Sequence, residues 1–151
     1  MESLSLTSAA LHGEPWRLWT GHAVHYDVRH LALDGVAALP PIVLSGRHRH
    51  LIAWAFLVAP LISIVILLTT PNVEYRGMSA LVVGLWILVP LQFIRERGAF
   101  ASALLILCIT KLALEATTPF RLGFTPTPPL FLAHWSGALA GAVTFALARL
   151  R

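Results

Sequence analysis

The chain has 151 residues, enough for one domain. Hydrophobic residues make up 57% and charged residues 12%, the latter about half the share usual in a soluble domain; mean hydropathy is +0.75, net charge is +4 and Cys108 is the single cysteine. These figures exclude a soluble globular enzyme, a disordered tail, a nucleic-acid binder with a broad basic face, an internal disulfide and a zinc-finger cluster, and point to a polytopic, all-α membrane protein.

Residues 1–24 have no basic start and no long apolar run, and Glu2 and Glu14 sit where a signal peptide would be positive. They read as an N-terminal outer loop, partly ordered, with Trp16 and Trp19 suited to a membrane interface. Residues 25–151 read as the transmembrane domain. A bilayer core of ~30 Å needs about 20 mostly apolar residues per helix, and five stretches qualify. Span A, 25–44, is the poorest, with His30, Asp34 and the Pro40-Pro41 pair; span B, 51–70, carries no charge; span C is 78–94. Span D, 99–116, holds Lys111 and Glu115, and span E, 129–150, holds His134. Breakers separate them: Ser45-Gly46, Pro71-Asn72, Gly98 and the run 125–129.

Basic residues in short loops set orientation. Arg47, Arg49, Arg95, Arg97, Arg149 and Arg151 fall on one side; Arg17, Arg29, Arg76 and Arg121 fall on the other. The richer side is expected in the cytoplasm with the C-terminus, and residue 1 outside. On that topology His30, Asp34, Ser79, Lys111, Glu115 and His134 all lie in the outer half of the membrane. Ionisable groups in a span cost a few kcal/mol each, so their gathering at one level predicts a shared polar chamber.

Small residues indicate how it closes. His134 begins a stripe with Gly137, Ala138 and Gly141, which allows tight packing against Gly77, Ala80 and Gly84. That packing would bring an imidazole to a hydroxyl, and an imidazole can take the serine's proton during attack. His30, one turn before Asp34, is an oxyanion donor candidate. Blander readings exist for each residue: Ser79 as a helix cap, His134 as a structural hydrogen-bonder, Lys111 and Glu115 as an i,i+4 pair, His48 and His50 as solvated loop residues. His12, His22 and His25 receive no role.

The motifs resemble those of a known family. The stretch 16–25 (Trp16, Arg17, Trp19, His22, His25) followed by His30 and Asp34 resembles the first loop and second helix of rhomboid-type intramembrane serine proteases. Gly77-Met78-Ser79-Ala80 resembles their G-x-S-G nucleophile motif, and Ala133-His134 with Gly137 and Gly141 their A-H-x-x-G-x-x-x-G helix. His30 and Ser79 are 49 residues apart, Ser79 and His134 are 55 apart, and both spacings fit. The compact size, the Tyr75-Arg76-Gly77 lead-in and the 111–115 segment resemble the rhombosortase branch. The resemblance implies a rhomboid-like bundle in a bacterial inner membrane, an active site facing the periplasm, Ser79 as nucleophile and His134 as general base. It puts His30 and Asp34 at the oxyanion side, and Gly77, Arg76, Lys111 and Glu115 in the chamber. It implies membrane-anchored substrates with a C-terminal tail of Gly-Gly, apolar span and basic residues, in the lipid bilayer. No cofactor, metal or nucleic acid is expected.

Three positions depart from the family pattern. Ala80 replaces a glycine. Asp34 stands where rhomboids usually have Asn, and a carboxylate cannot donate to an oxyanion. The first of the usual six helices is not seen before Trp16. An inactive rhomboid-like protein that binds clients is therefore the main alternative. A haem protein ligated by His30 and His134 and an ion pathway using Lys111, Glu115 and Asp34 are lesser ones.

Overall fold

The computed structural model describes residues 4–70, 72–117 and 131–150. Pro71, Arg121, Arg151 and the run 125–129, with the expected start of span E, lie outside the described residues. Among the described residues a short 3₁₀ turn, Ser8–Leu11, precedes six α-helices: α1 (Arg17–Ala23), α2 (Val28–Ser45), α3 (His48–Thr69), α4 (Ser79–Phe93), α5 (Gly98–Thr117) and α6 (Phe131–Ala148). Among the described residues the only β pairing is an isolated bridge between Leu6 and Tyr75.

Four helices, α2, α3, α5 and α6, are long and apolar enough to cross a membrane. Their outward faces carry Val36, Val43, Ile52, Leu57, Leu68, Ile106, Leu107 and Leu139, all largely exposed, while Asp34, Ser63 and His134 are buried. Apolar outside and polar inside is the make-up of a multi-pass membrane bundle. The expected span C is the exception. Its helix, α4, has 15 residues, which reach ~22 Å at the α-helical rise, short of a ~30 Å core. It is also the central element. Ala80, Val82, Val83, Leu85, Ile87, Leu88 and Val89 are all buried, and α2, α5 and above all α6 pack around it.

Local chemistry accounts for the boundaries. Asp27 caps α2 by accepting from the His30 N–H at 2.7 Å, and Gly46 ends it in the left-handed conformation. Indoles serve two of the carbonyls that prolines leave free inside the helices. Pro41 has no N–H for the Ala37 carbonyl, and Trp86 Nε1 donates to that carbonyl instead at 2.8 Å. Pro60 likewise frees the Phe56 carbonyl, which Trp19 Nε1 takes at 2.9 Å. In an apolar medium each such substitution spares an orphaned backbone group.

The N-terminal segment is docked, not loose. Leu6 is fully buried and exchanges both backbone hydrogen bonds with Tyr75 at 3.0 and 2.9 Å. Arg17 reaches the Ser5 carbonyl at 2.9 Å, and Thr20 reaches that of Leu4 at 2.7 Å. Residues 4–23 thus pack against the lead-in to α4 and against α3. Trp19, read as suited to the interface, packs against Phe56 with ring centroids 5.6 Å apart in a tilted arrangement.

Candidate active site

The site forms where the start of α4 meets α6. Gly137 lies against the backbone of Ala80, and Gly141 against that of Gly84; a Cβ on Gly137 would stand 1.9 Å from the Ala80 carbonyl oxygen. No side chain separates the two helices here, so their backbones touch as small-residue stripes permit. Gly77 of the expected stripe does not join this seam; it faces α2. The close approach brings Ser79 Oγ to 2.9 Å from His134 Nε2. His134 is 6% exposed, buried four residues into α6.

The second imidazole nitrogen is also engaged. His134 Nδ1 is 2.8 Å from Glu115 Oε2 and 3.2 Å from Lys111 Nζ. Lys111 Nζ in turn meets Glu115 Oε1 at 2.9 Å. The i,i+4 pair read from the spacing is present, and it also touches the imidazole. With both ring nitrogens spent inside the protein, His134 is poorly disposed to ligate a haem iron.

The turn before Ser79 is fixed from three sides. Gly77 has φ +129°, a conformation that glycine adopts freely. A Cβ there would stand 2.8 Å from His30 Cε1. The Gly77 N–H donates to the Gly21 carbonyl at 3.0 Å. The Met78 N–H donates to Asp34 Oδ2 at 3.0 Å, and the same oxygen pairs with His25 Nε2 at 3.1 Å. Asp34 therefore acts as an acceptor that ties down the turn before Ser79.

His30 packs on Gly77 and lies 3.6 Å from Asp34. Its buried Nδ1 has no hydrogen-bond partner, so it retains capacity to bond near the turn. The Ser79 and Ala80 N–H groups lie in the first turn of α4, with no intrahelical carbonyl to take them, at the positive end of the helix. Arg76 is brought elsewhere. It pairs with Glu74 and lies over the Tyr26 ring at 5.5 Å, bracing the lead-in without touching Ser79 or His134.

Besides His25, two residues escaped the sequence reading. Tyr75 is buried, and its hydroxyl lies beside Ser79 and the Ala80 backbone; burial pushes its phenol up. Its place in the lead-in was visible, but not its inward orientation. His22 on α1 is the other. Its Nε2–H is shared between Ser63 Oγ at 3.0 Å and the Ala59 carbonyl at 3.2 Å, while Ser63 donates onward to the Leu18 carbonyl at 2.7 Å. This second Ser–His contact is closed within the protein and ties α1 to α3.

Comparison of the chain with protein-family models and with curated proteins finds no match.

Proposed function

We propose that the protein is an intramembrane serine protease of the rhombosortase type, with Ser79 as nucleophile and His134 as general base. The observation that carries this reading is the 2.9 Å contact between Ser79 Oγ and His134 Nε2 at one end of a helical membrane bundle. Loop charges support placing that end toward the periplasm of a bacterial inner membrane, with the C-terminus in the cytoplasm. The substrate class, exported proteins held by a C-terminal Gly-Gly, transmembrane and basic tail, rests on the motif resemblance.

The chemistry runs as follows. Ser79 Oγ bonds to the scissile carbonyl carbon as its proton passes to His134 Nε2, and the carbonyl π pair moves to oxygen. That oxyanion meets N–H groups of the first turn of α4. Collapse breaks the C–N bond, and the Nε2 proton leaves with the amine. Water then attacks the acyl ester, giving its proton to Nε2; the acid departs as Ser79 Oγ recovers a proton. A Gly-Gly segment suits the site because glycine leaves a helix readily.

Fluorophosphonate labelling of the purified chain tests the nucleophile. Labelling of the wild type, lost in Ser79→Ala and His134→Ala, is expected; a wild type that never labels sinks the reading and favours an inactive client-binding protein. Coexpression with a Gly-Gly-tailed reporter tests the substrate class, with cleavage dependent on Ser79 as the expected result.

A further inference from the structure

We infer that Glu115 is a positioning residue that sets the tautomer of His134 against the competing demand of Lys111; this rests on the serine-hydrolase reading above. His134 Nδ1 has two neighbours that want opposite things. Glu115 Oε2, at 2.8 Å, only accepts as a carboxylate; Lys111 Nζ, at 3.2 Å, only donates as an ammonium. A single ring nitrogen satisfies one of them.

The choice decides whether the serine has a base. With its proton on Nδ1, His134 donates to Glu115 and presents the Nε2 lone pair to Ser79 Oγ. With the lone pair on Nδ1, it accepts from Lys111, and Nε2 carries a proton that blocks removal of the serine's. Two features favour Glu115. It is the closer neighbour. Its side chain is 11% exposed against 41% for Lys111, so water screens the lysine charge more strongly. Lys111 is meanwhile occupied with Glu115 Oε1 at 2.9 Å, which holds the carboxylate from the far side and turns Oε2 toward the imidazole. During attack the serine proton arrives on Nε2, the Nδ1 proton stays on the ring, and the carboxylate faces the imidazolium without being protonated. An ion pair in the last turns of α5 thereby acts on a reaction carried out between α4 and α6.

The test uses the full-length chain in detergent micelles, with a fluorophosphonate giving kinact and KI at Ser79. Glu115→Gln is expected to lower kinact about 10²–10⁴-fold with KI within about threefold. Glu115→Ala should do the same, because it hands Nδ1 to Lys111. Adding Lys111→Met to Glu115→Ala should then recover kinact by about tenfold or more, since the competing donor is gone; a merely structural ion pair predicts no recovery. The ring ¹⁵N shifts of His134 provide a readout independent of activity: Nδ1–H in the wild type, Nε2–H in Glu115→Ala. Where Glu115→Ala does not fold, Glu115→Gln and Glu115→Asp carry the comparison, with Asp restoring part of the rate. Wild-type kinact in Glu115→Gln, no recovery in the double variant, or an unchanged tautomer overturns the inference. A wild type that never labels overturns the hydrolase reading instead, and the ¹⁵N shifts still judge Glu115.

Discussion

Replacing Gly137 by alanine puts a methyl group where α6 meets α4 at backbone distance. The new Cβ would stand 1.9 Å from the Ala80 carbonyl oxygen and 2.7 Å from its carbon, whereas ordinary contact begins at 3.4 Å. Because the obstacle is backbone, no rotamer change relieves it. The helices must part by roughly 1.5 Å at this level, or α6 must roll. Gly137 is one turn from His134, so most of that displacement reaches the 2.9 Å contact with Ser79 and stretches it beyond hydrogen-bond range. A misplacement of ~1 Å costs about 10²-fold in rate, and overpacking costs about 1–3 kcal/mol in stability. The assay is fluorophosphonate labelling at Ser79, with thermal unfolding in the same detergent. Gly35→Ala is the control: Gly35 lies in α2 and a Cβ there meets nothing within 4 Å, so stability should hold or rise by up to ~1 kcal/mol. Gly137→Ala labelling within about threefold of wild type would refute the claim that backbone contact between α4 and α6 sets the Ser–His distance.

Asp34 and His22 make independent predictions. Asp34→Ala leaves the Met78 N–H without its acceptor, which costs about 1–3 kcal/mol and loosens the turn before Ser79, so labelling should fall more than about tenfold; Asp34→Asn keeps an acceptor and should stay within about tenfold. Equal rates for the alanine variant and the wild type would show that Asp34 does not anchor the turn. For His22, burial pulls the imidazole from the usual 6.5 down to about 4. Between those values the unfolded chain binds a proton that the folded chain refuses, so stability is full above about pH 6.5 and falls as pH drops toward 4. The loss approaches about 3 kcal/mol. Equilibrium unfolding across that window should show the slope, and His22→Gln should flatten it; a slope that the variant leaves intact would assign the effect to other groups.

Composition and run length alone determined that this is an all-helical membrane chain, and they drew α2, α3, α5 and α6 to within a few residues. The physical basis is direct: an apolar stretch of about 20 residues has few soluble fates, and small-residue stripes mark where helices touch. Ser79 and His134 could be paired on paper because each sits at the same level of a helix that carries such a stripe. What the sequence left open was which way each helix faces. These spans are apolar nearly all round, so no periodic stripe separates an inward face from a lipid face. The rotation of α5 that turns Glu115 onto His134, the acceptor role of Asp34, the indoles that serve the proline-freed carbonyls, and the docking of Leu6 on Tyr75 all depend on that choice. Each joins residues from separate segments, and only packing, which minimises unpaired polar groups and voids at once, selects among them.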